Sequence, residues 1–376
     1  MLGWDYLKKI LFMIPDLAGG GAEKVLVNLV NNMDRKKFDI TVKTLFDVGV
    51  NRDKLLPHIK REYCIKRQFR GNSKFFLLFK PKTLYKRFVK EHYDIVVSYL
   101  EGPTARIVSG CNDKETKLVS WIHCRMENER VASVGFRNFK EAKSCYNKFD
   151  YTACVSKWVK DYFTKVFSFQ KSVGVLYNTI ETDEILEKSK EKLEDIYLAD
   201  DCYNICSVGR LIDIKGFDRL INIHKRLLSE GINNHIYIFG DGKDKNRLEN
   251  LVREHNVITT FTFMGYTLNP YKYVSNMDLY ICSSYSEGFS TSVTEALIVG
   301  TPVVTTLCSG MKEMLGENNE YGIVTENNED ALYEGIKKML TTPNLLKYYS
   351  EKALERGKMF STEKTVKAVE EMLLSL

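Results

Sequence analysis

The chain has 376 residues, of which 44% are hydrophobic and 12% aromatic, so it can form two packed cores and is not expected to be disordered. Its nine cysteines include no Cys-x-x-Cys pair, which argues against a zinc module or a disulfide framework and favours reduced thiols in a cytosolic protein. The net charge is only +6, and no run of about 20 apolar residues predicts a membrane-spanning helix.

The first half of the chain alternates predicted strands and helices, which is typical of a doubly wound parallel sheet. The run Lys8–Pro15 is too short for the apolar part of a signal peptide, so we interpret it as the first strand. Helical spacing of apolar residues predicts a helix over Gly21–Asn32. The predicted strands are Ile10–Ile14, Phe38–Phe46, Asp94–Tyr99, Lys117–Ile122, Tyr151–Val155 and Val173–Tyr177.

A glycine-rich loop follows the first strand. Gly19, Gly20 and Gly21 open the predicted helix, where glycines let backbone amides approach a phosphate or an acceptor hydroxyl without interference from side chains. The spacing is neither that of a Walker loop nor that of a dinucleotide-binding Gly-x-Gly-x-x-Gly turn. An ordinary tight turn is the alternative interpretation.

The segment 61–90 concentrates positive charge, with ten Lys or Arg residues against one acidic residue, Glu62. Aromatic residues are interleaved with these cations, a pattern that favours contact with an anionic lipid surface. A solvated helical face is one alternative; nucleic acid is disfavoured because no nucleic-acid-binding module accompanies the patch. The residues predicted to form this membrane or acceptor surface are Lys66, Arg67, Arg70, Lys74, Phe75, Phe76, Lys80, Lys86 and Arg87.

A charged stretch without strand pattern, Glu181–Asp201, is predicted to connect the two halves, with a domain boundary between residues 185 and 186. A second alternating set of elements follows, and residues 343–376 predict two helices. The second set of predicted strands is Tyr203–Val208, His235–Phe239, Thr260–Met264, Asp278–Cys282, Pro302–Thr305 and Tyr321–Val324.

Loops that follow the strands of the second half carry residues suited to a diphosphate. Gly209, Arg210 and Lys215 come from one loop, and a guanidinium with an ammonium can neutralise two phosphates as a leaving group gains charge. Taken alone, such basic residues more often lie on a solvated surface. Turns follow the next two strands, with Gly240 and Gly242 in the first and Gly265 and Tyr266 in the second.

The segment 286–297 is predicted to start a helix between two parallel strands. Gly288, Phe289, Ser290 and Thr291 open that helix, where unpaired amides favour an anion. Glu287 precedes the helix and Glu295 lies about two turns further on, so a ligand that contacts both must be long. A nucleotide sugar has that length; a loop charge and a solvated helix residue are the alternative interpretation of the two glutamates.

Several of these segments together resemble family 4 of the retaining glycosyltransferases, over nearly the whole chain. Glu287 and Glu295 match the Glu-x7-Glu signature, and Gly209–Gly216 matches the family's basic loop. Gly20–Glu23 is similar to the family's Gly-Gly-Ala-Glu opening, which implies that Gly20 and Gly21 cover the donor's diphosphate and border the acceptor. The resemblance also implies that the turns at Gly240–Gly242 and Gly265–Tyr266 approach the nucleotide and its base. The resemblance also implies that His123, a residue more often structural after a strand, contacts the donor sugar. Asn178 lies in a turn that departs from the family's pattern, which leaves a role for it doubtful.

The resemblance implies an α/β GT-B fold: two facing Rossmann-like domains with a cleft between them. The N-terminal domain, residues 1–185, would bind the acceptor, residues 186–360 would bind the donor, and the helix 361–376 would return to the first domain. A sugar would pass from a UDP-sugar to a glycan acceptor, plausibly lipid-linked, with Glu287, Arg210, Lys215 and His123 at the reaction centre.

No Asp-x-Asp triplet and no His/Cys cluster occurs, which predicts an enzyme that needs neither metal nor another cofactor. The expected location is the cytoplasmic face of the cell membrane, with the protein peripherally bound. Two other functions stay open at this point: a nucleotide-sugar epimerase of the same fold, and a non-enzymatic membrane- or glycan-binding module.

Overall fold

The computed structural model describes residues 7–69, 71–168, 172–194, 196–287, 289–308 and 310–376. Two predicted site residues, Arg70 and Gly288, lie outside the described residues. The chain divides into two compact units: Met1–Ile180 with Thr362–Leu376, and Glu181–Ser361. The boundary therefore lies after residue 180, five residues before the predicted one.

The first unit contains a parallel sheet of seven described strands in the order β3-β2-β1-β4-β5-β6-β7. Its strands are β1 Lys8–Ile14, β2 Phe38–Phe46, β3 Lys60–Ile65, β4 Ile95–Ser98, β5 Lys117–Ile122, β6 Tyr151–Cys154 and β7 Ser172–Val175. Its first seven helices are α1 Gly21–Asn32, α2 Asn72–Leu77, α3 Pro81–Phe88, α4 Pro103–Val108, α5 Glu129–Ala132, α6 Phe139–Tyr146 and α7 Lys157–Phe167. The central strands are apolar and buried because helices cover such a sheet on both faces.

The second unit has the same architecture, with six described strands in the order β10-β9-β8-β11-β12-β13. Its strands are β8 Tyr203–Val208, β9 Asn234–Phe239, β10 Phe261–Gly265, β11 Leu279–Cys282, β12 Val303–Thr306 and β13 Ile323–Thr325. Its helices are α8 Thr182–Lys188, α9 Phe217–Ser229, α10 Lys245–Glu254, α11 Tyr271–Val274, α12 Thr291–Val299, α13 Met311–Leu315, α14 Glu329–Thr341 and α15 Leu345–Gly357. The predicted helix between two parallel strands is confirmed, since α12 connects β11 to its parallel partner β12.

The last helix, α16 Thr362–Leu374, belongs to the first unit although it follows the second in sequence. It packs beside α1, and Glu370 receives a hydrogen bond from the amide of Asp34 at 2.6 Å and an ion pair from Lys37 at 3.2 Å. The Thr362 hydroxyl donates to the carbonyl of Ile180 at 2.7 Å, which ties together the two points where the chain passes between the units.

One strand was not predicted from the sequence, and part of the predicted connection between the two halves is a helix. β3 is an outer strand with the sequence Lys-Arg-Glu-Tyr-Cys-Ile, which contains no long apolar run. It also overlaps the segment that we interpreted as a basic surface. Part of the predicted connection is the helix α8, which packs within the second unit through a hydrogen bond from Asn269 to the Lys188 carbonyl at 3.0 Å.

Candidate functional site

An ion pair lies at the carboxyl edge of the second unit's sheet, between the loops that follow β8 and β11. Lys215 ends a short 3-10 turn that precedes α9, and its Nζ lies 2.5 Å from Oε1 of Glu287. The Ser284 hydroxyl donates to the same carboxylate oxygen at 2.7 Å. Two residues that sequence analysis assigned to different parts of a ligand are thus partners of each other.

The charges of this site reinforce one another. Burial works to lower the pKa of Lys215, but attraction to Glu287 outweighs it, so the pKa stays above its ordinary value and the ammonium remains protonated. Arg210, exposed in the same loop, is near enough to oppose this shift by repulsion. The site therefore presents two cations against one anion.

Arg219 supports the loop that carries Glu287, and sequence analysis missed it. Its guanidinium is buried, donates to the Ser283 carbonyl at 2.7 Å and to Asn327 at 2.9 Å, and lies 4.1 Å from the ring centroid of Tyr285. Burial lowers the pKa of Arg219 below its ordinary value. The available signal was a basic residue on the apolar face of α9, among Phe217, Leu220 and Ile221.

The start of α12 borders the same ion pair. Ser290 caps the helix, because its hydroxyl accepts from the Val293 amide at 3.4 Å, and it lies 3.2 Å from the hydroxyl of Ser292. The ring of Phe289 is buried and packs against Phe360 at 5.8 Å between centroids, so Phe289 offers a ligand its backbone. A cavity of about 10 Å³ lies beneath, lined by Lys215, Glu287 and Ser292; it has room for about one water molecule.

Glu295 lies further along α12, away from Glu287, as the spacing predicts. The hydroxyl of Tyr271, a buried residue of α11, donates to its carboxylate at 3.3 Å. The side chain is half-buried. A ligand that reached from one glutamate to the other would pass the start of the helix.

The predicted glycine turns after β8, β9 and β10 meet at one edge of the sheet. The Gly240 amide donates to the Gly265 carbonyl at 2.8 Å, and the Leu211 amide donates to the carbonyl of Asp241, which precedes Gly242, at 3.0 Å. Gly240 has φ +147°, and a Cβ there would collide with the carbonyl of Gly209, so only glycine fits. Tyr266 follows as an exposed residue, 75% accessible.

In the first unit, His123 directly follows β5 at the carboxyl edge of the sheet. Its amide donates to Glu101 at 3.0 Å, and the ring lies 5.0 Å from that of Tyr99. Burial lowers the pKa of His123 to about 4, so the imidazole is neutral. Its Nε2 is buried without a hydrogen-bond partner among the described residues, which leaves a polar atom ready for a ligand.

The glycine loop of the first unit is held by side chains. The amide of Asn51 donates to the Leu17 carbonyl at 3.0 Å, and its side chain donates to Ala18. A side chain at Gly20 would collide with the carboxylate of Glu23, which folds back over the start of α1, whereas a Cβ at Gly21 would meet no atom within 4 Å. The acidic Glu23 makes this helix start better suited to a hydroxyl than to a phosphate.

Among the residues predicted to form the membrane surface, the described cations are exposed as expected, whereas one aromatic residue is buried. Lys66, Arg67, Lys74, Phe75, Lys80, Lys86 and Arg87 are exposed. Phe76 is 3% exposed, because it packs against Phe46 and Phe88 beneath the sheet edge. Phe69, Phe75, Leu78 and Phe79 are the exposed apolar side chains beside these cations, with Leu78 74% accessible.

Two arginines hold the end of α2 and the residues that follow it, next to these apolar side chains. Arg106, 1% exposed, donates to the Phe76 and Phe79 carbonyls at 2.8 and 2.7 Å and pairs with Glu141 at 2.9 Å. Arg137 donates to the Leu77 carbonyl at 2.8 Å. The segment that exposes Leu78 is thus fixed by charge-assisted hydrogen bonds.

The part of the chain that the structure describes offers neither a metal site nor a membrane-spanning helix. Its residues include no group of three or more His, Cys, Asp or Glu side chains placed to hold a metal ion. Within the same ranges, every helix is too short or too polar to cross a bilayer.

Two family models match the chain. The model described as Glycosyl transferases group 1 matches residues 189–356, and the one described as Glycosyltransferase Family 4 matches residues 19–184. Between them they span most of the chain, with a gap close to the boundary between the two units.

Individual relatives agree with these matches. An N-acetylgalactosamine-N,N'-diacetylbacillosaminyl-diphospho-undecaprenol 4-alpha-N-acetylgalactosaminyltransferase of Campylobacter jejuni is 35% identical over 206 residues, which cover 54% of this chain and 54% of that protein. The match therefore spans about half of that relative's own length. An uncharacterized glycosyltransferase of Haemophilus influenzae is 23% identical over 372 residues, covering 96% of this chain and 98% of that protein.

Among solved structures, Anabaena Alr3699/HepE in complex with UDP superposes with a TM-score of 0.77 at 17% identity, over 98% of this chain and 100% of that one. At that identity the likeness establishes the fold alone. Together with the two parallel sheets and the two family models, it confirms the resemblance found in the sequence: the chain belongs to glycosyltransferase family 4 and has the GT-B fold.

Proposed function

We propose that the protein transfers a sugar from a nucleotide diphosphate sugar to a glycan acceptor with retention of the anomeric configuration. The observation that carries this proposal is the pair Lys215–Glu287, with Arg210 and the start of α12 beside it. The second unit would bind the donor, and the first unit, with its glycine loop, would bind the acceptor.

Each group of the second unit has a task in this reaction. Arg210 and Lys215 stabilise negative charge on the departing diphosphate, helped by backbone amides at Phe289–Thr291. Glu287, released from Lys215, accepts hydrogen bonds from hydroxyls of the donor sugar, and Glu295 accepts those of the ribose. The turns at Gly209, Gly240, Gly242, Gly265 and Tyr266 contact the nucleotide.

In the first unit, His123 is the residue that we propose contacts the sugar. Because burial keeps its imidazole neutral and leaves Nε2 unpaired, it can hydrogen-bond a sugar hydroxyl without adding charge. No carboxylate is assigned as a covalent nucleophile; the leaving phosphate itself takes the proton from the acceptor hydroxyl, which then attacks the same face of the sugar.

The choice of donor and acceptor is supported by related proteins. The structurally similar Anabaena protein has been solved with UDP, which favours a UDP-sugar donor. The Campylobacter relative is named for an acceptor that carries diphospho-undecaprenol, which favours a lipid-linked glycan acceptor.

The proposed reaction needs no metal ion, since fixed cations take the place of one at the diphosphate. Transfer measured with excess EDTA should therefore equal transfer with added magnesium. A loss of turnover in EDTA that magnesium restores would contradict metal independence while leaving the transferase activity in place.

A lipid-linked acceptor requires contact with a membrane, and we propose that the surface around Leu78 provides it at the cytoplasmic face. Phe75, Leu78 and Phe79 would enter the headgroup boundary, while Lys74 and Lys80 attract anionic lipids at about 1 kcal/mol each. The supporting observation is the fixed backbone beneath Leu78, where Arg106 removes the conformational cost of ordering the segment on binding.

The test of the reaction is a panel of UDP-sugars with lipid-linked and soluble glycan acceptors, with products detected by mass and the anomeric configuration read by NMR. We expect transfer, or slow hydrolysis without acceptor, in either case with retained configuration. Epimerised donor, or donor left intact with every acceptor, would overturn the proposal.

The site assignment is tested separately with Glu287→Gln, matched to Glu254→Gln on the exposed face of α10. The first variant should lower kcat/KM by about two orders of magnitude, because an amide cannot accept two charged hydrogen bonds, and the second should leave it unchanged. Equal activity of the two variants would remove Glu287 from the site.

A further inference from the structure

A cavity of about 430 Å³ lies at the outer edge of the first unit's sheet, between β3 and the end of α3. Its walls include Lys43, Arg61, Glu62, Tyr63, Arg87 and Lys90. Four of these side chains are cationic and one is anionic. None of them belongs to the loops assigned to the donor.

The floor of this cavity is a charged group fixed in a buried position. The Lys43 side chain is 8% exposed, and its ammonium lies 2.7 Å from Oε2 of Glu62 and donates to the Phe88 carbonyl at 2.8 Å. Glu62 also pairs with Lys60 at 3.0 Å. Burial works to raise the pKa of Glu62, but the hydrogen bonds from both lysines outweigh it and keep the carboxylate ionised.

The remaining cations at the cavity are not neutralised to the same degree. Arg87 is exposed and makes no ion pair within the described residues, while Lys90 donates only to the Lys86 carbonyl, at 3.0 Å. Arg61 faces Asp53 at the long distance of 3.9 Å. A concave site with an excess of guanidinium and ammonium groups is complementary to a phosphate, which accepts several charge-assisted hydrogen bonds at once.

We infer that the cavity bounded by Lys43, Arg87 and Lys90 binds a phosphate group. Arg87 and Lys90 would donate to its oxygens, while the ion pair of Lys43 with Glu62 fixes the wall of the cavity. The phosphate could belong to a lipid headgroup or to a soluble compound, and both present the same chemistry to the site. The inference goes beyond the proposed transfer reaction and does not require it.

The experiment titrates the full-length protein with inorganic pyrophosphate by calorimetry, in an Arg210→Ala/Lys215→Ala background that weakens binding at the proposed donor site. We expect pyrophosphate still to bind, and Arg87→Gln/Lys90→Gln to lower its affinity at least tenfold through the loss of two charged contacts. The matched control is Lys82→Gln, an exposed lysine of α3 outside the cavity, which should stay within twofold.

Vesicle sedimentation separates the two sources of phosphate. If Arg87→Gln/Lys90→Gln also loses binding to vesicles of phosphatidylglycerol but not of phosphatidylcholine, the site takes a lipid headgroup; unchanged vesicle binding assigns it to a soluble phosphate. Pyrophosphate affinity equal to that of Lys82→Gln, or no binding in the background variant, overturns the inference. Neither result depends on whether the enzyme transfers sugar.

Discussion

The two units hold the loops at their carboxyl edges by different means. In the second unit the loops bond to one another through their backbones, as between Leu211 and Asp241, and glycine is required where they meet. In the first unit the Asn51 side chain supports the glycine loop and Glu101 supports His123, in addition to backbone bonds from Leu17 to Val48 and from Asn51 to Leu17. Glycine is required at both edges, since a Cβ at Gly49 would collide with the Leu17 carbonyl as one at Gly240 would with the Gly209 carbonyl. The side-chain supports of the first unit add a dependence on residues that are distant in sequence.

The largest loss of activity should come from Lys215→Ala, which removes the buried cation at the edge of the second unit's sheet. Transfer should fall by about 10²- to 10³-fold, because preorganised charge at a leaving group contributes about 3–4 kcal/mol to the transition state. The measurement is kcat with a saturating UDP-sugar. Lys225→Ala, an exposed position on α9, serves as the control, and a comparable loss there would contradict a specific role for Lys215.

Alanine at two glycines compares the loops directly. Gly240→Ala should lower the free energy of unfolding by about 2–4 kcal/mol, since φ is +147° and its Cβ would strike the Gly209 carbonyl. Gly21→Ala should change it by less than about 0.5 kcal/mol, because its Cβ meets open space, and should instead reduce transfer. Urea unfolding of both variants is the measurement. Equal losses of the free energy of unfolding would show that the backbone at Gly21 is constrained as tightly as that at Gly240.

Acid should weaken both units through one buried histidine in each. Burial lowers the pKa of His123 and of His224 from the ordinary 6.5 to about 4. Between pH 6.5 and about pH 4, each histidine binds a proton in the unfolded chain but not in the folded chain. The free energy of unfolding therefore falls as pH decreases, by up to about 3 kcal/mol per histidine. His224 bonds to Asn234 and Thr260, whereas Nε2 of His123 is unpaired in the described residues.

The measurement is urea unfolding at pH 7 and pH 4.5 for the wild type, His123→Gln and His224→Gln. Each variant should lose part of the stability difference between the two pH values. A variant that keeps the full difference would show that its histidine is already protonated, or that carboxylates account for the whole effect.

The smallest effect concerns an exposed side chain of each unit. Leu78→Ser should weaken binding to anionic vesicles about tenfold, since a buried leucine contributes about 1.5–3 kcal/mol. Ile258→Ser, at a 60% exposed position in the second unit, should leave vesicle binding unchanged. Co-sedimentation with vesicles of defined composition is the measurement, and equal losses would assign the membrane contact elsewhere.

The sequence predicted those features that are local in the chain. Twelve strands were predicted because apolar runs alternate with helical spacing, and the glycine turns were predicted because backbone geometry demands glycine. β3 was missed because an outer strand pairs on one side only, so charged residues such as Lys60, Arg61 and Glu62 can occupy half of it. Arg219 was missed because its partners, Ser283 and Asn327, become its neighbours only in the fold.

The error at Phe76 has a similar origin. In a short helix preceded and followed by aromatic residues, composition does not tell which ring turns inward, and Phe76 fills the space beside Phe46 while Phe75 and Leu78 stay exposed. The ion pair between Lys215 and Glu287 could not be predicted either, since the two residues come from different loops and each was interpreted as a separate ligand contact.

The contact between Lys215 and Glu287 gives the proposed enzyme a way to discriminate among abundant cellular anions. Inorganic phosphate would have to share the ammonium with this carboxylate, whose negative charge repels it. A sugar nucleotide satisfies both halves at once, with its diphosphate for the lysine and its sugar hydroxyls for the glutamate. In the proposed reaction the pair would therefore favour a sugar nucleotide, which brings charge and hydroxyls together, over ligands that offer charge alone.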